Sequence, residues 1–108
     1  MSAWGARVVV EPQSVNVVHV GRKPLTNYVM AILRLFEADG VDEVVVRARG
    51  SNICKAVDAV EQVKNLILKD TYIKNISVGS EWFEDERTGR KKRVSVIEIV
   101  LARRRGEE

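Results

Sequence analysis

The sequence predicts a two-layer α/β (α+β) sandwich: a four-stranded mixed sheet with two helices on one face, in the order β-α-β-α-β-β. Three observations carry that expectation. Two short β-branched runs, Val15 to Val20 and Glu43 to Arg47, are each followed by apolar residues at helical spacing. A helix joining two strands makes those strands parallel neighbours. Two further apolar runs then flank a polar segment containing Thr88-Gly89, which reads as an antiparallel hairpin.

The elements follow in order. Residues 1–14 read as an N-terminal arm, residues 15–103 as one domain, and residues 104–108 as a charged tail. The first strand ends at Gly21, and Pro24 suits the first position of a helix because its missing N–H costs nothing there. Leu25, Tyr28, Val29, Ile32, Leu33 and Phe36 mark that helix, and Asp39-Gly40 stops it. In the second strand Val44, Val45 and Val46 are consecutive, as in a strand covered by helices. Gly50 breaks it, and Ser51 is placed to cap a second helix over 52–68. The expected buried stripe of that helix is Ile53, Ala56, Val57, Val60, Val63 and Ile67; Lys55, Asp58, Glu61, Gln62 and Asn65 form its wet face. The third strand holds Tyr72, Ile73, Ile76, Val78, Trp82 and Phe83, with an irregularity expected near Gly79. Val94, Val96, Ile97, Ile99 and Leu101 make the fourth.

Composition narrows the function classes. At 108 residues and 45% hydrophobic, the chain supports a single core. It has one cysteine, Cys54, and one histidine, His19, so neither an internal disulfide nor a Cys/His metal set is available. No apolar run approaches membrane-spanning length, and the start lacks a basic-then-apolar signal pattern. The expectation is an intracellular, soluble protein with no membrane partner and no cofactor.

The formal charge is only +3, yet positive side chains are concentrated in three places. Gly21-Arg22-Lys23-Pro24 and Arg47-Ala48-Arg49-Gly50 both stand where a strand hands over to a helix. In a β-α-β unit those turns lie at the same end of the sheet, where helix amino ends add free N–H groups and positive dipoles. The third place is the hairpin tip, where five of the seven residues from Arg87 to Arg93 are basic: Arg87, Arg90, Lys91, Lys92 and Arg93. One such turn alone is ordinary solvated surface. Three together describe a surface for a polyanion, and nucleic acid is the first candidate.

No catalytic constellation accompanies them. Glu81, Glu84, Asp85 and Glu86 lie in what reads as one loop beside many cations, so they read as self-neutralising surface and not as a metal site. His19 sits in an apolar strand with no acid nearby in sequence, and Cys54 has no matching base. Trp82 and Phe83 are adjacent in a strand and so face opposite sides; packing or a subunit contact fits them better than base stacking.

Val17-Val18-His19-Val20-Gly21-Arg22-Lys23-Pro24, then Asn27-Tyr28-Val29, resembles the opening of the Alba (Sac10b) family of archaeal chromatin proteins. The likeness continues through Val46-Arg47-Ala48-Arg49-Gly50, Ile53, and Lys55-Ala56-Val57-Asp58, and closes with Val96-Ile97-Glu98-Ile99. The resemblance implies a fold similar to the C-terminal domain of bacterial translation initiation factor three. It also implies a dimer whose two hairpins project as arms, and binding to double-stranded DNA with little sequence preference, and to RNA. The family's central contact is the Gly-Lys-Lys-Pro loop, whose first lysine is acetylated, and its arm tips follow the minor groove.

This chain departs from the pattern in three places. Arg22 replaces that first lysine and keeps the charge without the acetylation chemistry. Ser51 stands where many members have another arginine, and Leu66-Ile67 stands where members often have an aromatic at the contact between dimers. The expected function is a non-enzymatic, architectural chromatin protein in the cytoplasm, on the nucleoid. Its partners would be double-stranded DNA, RNA and a second copy, or a paralogue in a heterodimer. Arg22, Lys23, Arg47, Arg49 and Lys55 would serve from the body, and Arg87, Arg90, Lys91, Lys92 and Arg93 from the arm. The alternatives are an RNA-binding ribonucleoprotein subunit, or a module that docks an acidic protein.

Overall fold

The computed structural model describes residues 16–104. The expectation for an N-terminal arm over 1–14 lies outside those residues, as does all but Arg104 of the charged tail. Strand β1 (Val17–Val20) leads into helix α1 (Leu25–Glu37), then strand β2 (Glu43–Arg49) and a short 3-10 turn (Gly50–Asn52). Helix α2 (Ile53–Gln62) runs into one π-helical turn (Val63–Ile67), and a long hairpin of β3 (Thr71–Glu84) and β4 (Lys91–Arg103) completes the fold. The sheet order is β1-β2-β4-β3. β1 is parallel to β2, while β4 runs antiparallel to both β2 and β3. This is the mixed four-stranded sheet and the element order that the sequence predicts.

Burial follows from the alternation of side chains. Val18, Val20, Val44, Val46, Ala48, Ile97, Ile99 and Leu101 form one buried face of the sheet. Against it pack Tyr28, Val29, Ile32 and Phe36 of α1, and Ala56, Ala59, Val60 and Val63 from α2 and the π turn. Phe36, Ile32, Val44, Val46, Val60, Val63 and Leu101 are almost wholly enclosed. Truncating Phe36 to Ala would remove about 3–5 kcal/mol, because such a cavity collapses only partially.

The local signals differ from expectation at five points. Pro24 is the residue before α1, extended at φ −60 and ψ 154, and its carbonyl accepts from Asn27 N–H at 3.0 Å. Strand β2 continues past Arg47, since Ala48 and Arg49 still pair with Ile97 and Val96. Ser51 does not cap α2: Gly50 takes a left-handed φ of +61, and Ser51 is carried into the 3-10 turn, where no side chain makes a cap bond. Val57 and Ile67 are exposed, at 39% and 43%, and Ala59 takes a place in the stripe. The extra residue per turn of the π segment rotates Ile67 off the buried line. The strand irregularity falls between Ile73 and Asn75, leaving Gly79 in regular pairing with Val96. The inserted residue, Lys74, ion-pairs with Glu43 on β2. A bulge with a charged residue on an edge strand also discourages a further strand from adding there.

The register sets the shape of the functional end. β2 ends at Arg49, opposite Val96. β3 and β4 continue beyond that level, from Ser80 opposite Ser95 out to Glu84 opposite Lys91. The hairpin therefore projects from the end of the sheet where β1 and β2 hand over to their helices. At the opposite end Arg103 closes β4, with its guanidinium on Asp70 at 2.7 Å and on Glu37 at 2.5 Å.

Candidate nucleic-acid interface

The turn after β1 is held from beneath. Lys55, in the first turn of α2, donates from Nζ to the carbonyls of Gly21 at 2.8 Å and Lys23 at 2.7 Å. The Lys23 backbone N–H donates to the Tyr28 hydroxyl at 3.1 Å. A Cβ on Gly21 would stand 3.4 Å from that hydroxyl, in van der Waals contact with it. With its backbone fixed, the turn exposes the side chains of Arg22 and Lys23 to solvent. Lys55, placed among the cations by sequence, is thus a brace for the turn.

The turn after β2 lies beside it. Arg22, Arg47, Arg49 and Asn52 line one cleft of about 540 Å³ with His19, Gly21, Glu81 and Val96. The two handover turns and the base of the hairpin therefore meet in one concavity. The structure also corrects the expected place of two acids: Glu84 is the last residue of β3, paired with Lys91, and Glu81 lies further back on that strand. Glu81 is a β3 residue and not part of the hairpin loop, and its carboxylate takes the Arg47 guanidinium at 2.8 Å and that of Arg49 at 3.4 Å. Arg49 also lies over the Phe83 ring, 4.5 Å from its centroid. Arg47 is mostly covered, with 16% of its side chain exposed, against 59% for Arg49.

His19 and Arg47 are direct partners in the β1–β2 ladder. Partial burial, then the charges of Arg47 and Arg49, hold the His19 pKa below its ordinary 6.5. The ring is therefore neutral at pH 7, with one lone pair and one N–H.

The arm tip is built differently. Asp85 accepts the Gly89 N–H at 2.7 Å through its carbonyl and the Arg87 N–H at 2.9 Å through its carboxylate. Gly89 takes φ +74, and Thr88 Oγ1 accepts the Arg90 N–H at 3.2 Å. These bonds fix the turn backbone and leave Arg87, Arg90, Lys91, Lys92 and Arg93 exposed. Among the described residues, none of those five side chains joins an ion pair. Trp82, on the face opposite Phe83, is 67% exposed. Cys54 is an exposed free thiol. Among the described residues no group of His, Cys, Asp or Glu is arranged to hold a metal ion, and no helix is long and apolar enough to cross a membrane.

Sequence reasoning locates every cation of the cleft but misses three of its determinants. Glu81 and Phe83 reach Arg47 and Arg49 through a register that no local pattern specifies. Tyr28 reads as core from its spacing, and its hydroxyl role has no sequence signal.

A model of the Alba family matches residues 16–80. The DNA/RNA-binding protein Alba of Nanoarchaeum equitans is 46% identical over 88 residues, which cover 81% of this chain and 97% of that protein. Among solved structures, Alba from Thermoplasma volcanium superposes with a TM-score of 0.75 at 35% identity, over 82% of this chain and all of that one. ALBA1 from Trypanosoma brucei superposes with a TM-score of 0.64 at 30% identity, over 82% of this chain and 68% of its own. The handover turns and most of β3 fall inside the matched segment, and on these grounds the chain belongs to the Alba family.

Proposed function

We propose that this chain is a non-enzymatic architectural protein that binds double-stranded DNA without sequence preference, by gripping phosphates. The observation that carries the reading is the position of all three basic segments at one end of the sheet, two around a cleft and one on an arm beyond it. Arg22, Lys23 and Arg49 act from the body, with Arg47 behind them and Lys55 bracing the turn. Arg87, Arg90, Lys91, Lys92 and Arg93 act from the arm. Such contacts read backbone and shape and carry no base code. A relative whose name states DNA and RNA binding supports the same class of ligand.

The working unit in this reading is a dimer, and pairing with a paralogue is the alternative to a homodimer. Ile76, Val78 and Trp82 lie along one face of β3, where the helices do not reach, and Val78 is 74% exposed. Leu66 and Ile67, after α2, are exposed as well. Apolar surface of this kind is what a second subunit covers. In this reading the protein works in the cytoplasm, on the chromosome.

The test is binding to duplexes of equal length and unrelated sequence, and to a structured RNA. Similar affinity across the duplexes, with equal weakening on all of them in R22Q/K23Q, supports the phosphate grip. A strong preference for one duplex overturns it. Clear preference for the RNA moves the chain to a ribonucleoprotein role, and binding to neither leaves an acidic protein as the partner.

A further inference from the structure

Among the described residues Glu81 is the one acid lining the basic cleft, and its position is specific. It sits on β3 opposite Val94, two residues beyond the level where β2 ends at Arg49, so it stands where the arm leaves the body. Its side chain, three-quarters covered, reaches across β4 and offers one oxygen to each of two arginines 34 and 32 residues away in sequence. A guanidinium presents the same planar fork of N–H donors to a carboxylate and to a phosphate. Arg49 is further held over Phe83, so its fork points at Glu81 before any ligand arrives.

We infer that Glu81 is an internal stand-in for a ligand phosphate, and that it sets the affinity of the body cleft by competing for Arg47 and Arg49. The inference rests on the phosphate-gripping reading above. A phosphate entering the cleft must displace the Glu81 carboxylate or share the arginines with it against like-charge repulsion. The carboxylate keeps both guanidinium groups oriented and hydrogen-bonded when no nucleic acid is bound, and it lowers the gain when one binds. The cations are thereby given unequal strength: those of the arm are open to any phosphate, while Arg47 and Arg49 in the body are held by an acid until one arrives.

The test compares E81Q with E84Q on random duplex DNA across a salt series. Glu84 lies on the same strand and faces the opposite side, so E84Q removes the same charge without touching Arg47 or Arg49. Thermal melts of both variants confirm folding. E81Q is expected to bind about fivefold tighter, the worth of a modest ion pair, and to steepen the log–log salt slope by about 0.9 for each phosphate newly held. E84Q is expected to give a clearly smaller gain. In an R49Q background the gain from E81Q is expected to shrink, because it acts through that arginine. Weaker or unchanged binding by E81Q overturns the inference, since Glu81 would then serve only to position the arginines. Equal gains from E81Q and E84Q also overturn it, by reducing the effect to net charge. If the unsubstituted chain binds duplex DNA and E81Q fails to tighten it, only this inference falls. If the unsubstituted chain binds neither DNA nor RNA, the phosphate grip itself falls with it.

Discussion

The body cleft and the hairpin arm carry similar chemistry in opposite states of organisation. In the body, Arg47 and Arg49 are engaged with Glu81, Arg49 is stacked on Phe83, and Lys55 is committed to two backbone carbonyls. At the arm tip the turn backbone is tied, but the five cations are free of ion pairs among the described residues. Under the proposed phosphate grip, the difference teaches where binding energy would be won and where it would be set. Cations held in place have already given up their rotamer freedom, so they define the position of a ligand at little further entropic cost. Cations left loose give up that freedom on binding, and they contribute mainly through counterion release. In the proposed reading the arm supplies reach and charge, and Arg47 and Arg49 in the body supply geometry.

The largest expected effect comes from stripping the arm. Replacing Arg87, Arg90, Lys91, Lys92 and Arg93 together by Gln is expected to make the salt slope on duplex DNA shallower, by about 0.9 for each phosphate that these side chains neutralise. The melting temperature should stay close to that of the parent, because these side chains are exposed. A large drop in melting temperature would break the comparison, since it would make the arm cations structural. The next effect is that of R22Q/K23Q, a shallower slope by about two units at most, again with the fold unaffected.

K55M sharpens the contrast further. It removes two hydrogen bonds that hold the first turn, so it is expected to lower stability by about 1 kcal/mol and to weaken binding together. A single arm change such as R90Q should weaken binding alone. Equal melting temperatures for K55M and the parent would show that Lys55 acts as an ordinary surface cation.

The smallest effect is a pH dependence. The His19 pKa is depressed by partial burial and then by Arg47 and Arg49. Between the ordinary 6.5 and that depressed value the unfolded chain binds more protons than the folded one, so stability rises with pH across that window. Stability is thus expected to fall as the solution is acidified below pH 6.5, and H19Q should flatten the profile. A bound phosphate favours the charged ring, so affinity for DNA should rise over the same interval. An H19Q profile identical to that of the parent would remove His19 from the cleft electrostatics.

These regions are not equally legible in the sequence. Element order and the three basic segments follow from short-range pattern: β-branched runs, apolar residues at helical spacing, and a Gly within a cationic turn. Val57 and Ile67 read as buried because periodicity assumes one uniform helix, and at Ile67 the π turn after Gln62 breaks that assumption. The bulge at Lys74 escapes notice because glycine is the visible marker of such irregularities, whereas the inserted residue here is a lysine with an ion pair to Glu43. Glu81 reads as part of the turn because the acidic run Glu84-Asp85-Glu86 follows it within a few residues. Its true partners are more than thirty residues away and are set by the register of three strands. Local chemistry shows which side chains are available, and register decides which of them meet.

The most direct test of the central claim is the salt dependence of binding to two random duplexes of unrelated sequence. If phosphates are gripped from both body and arm, log affinity falls linearly with log salt, with a steep slope of about −0.9 per phosphate and the same value on both duplexes. A shallow slope, or a marked preference for one duplex, would contradict the claim.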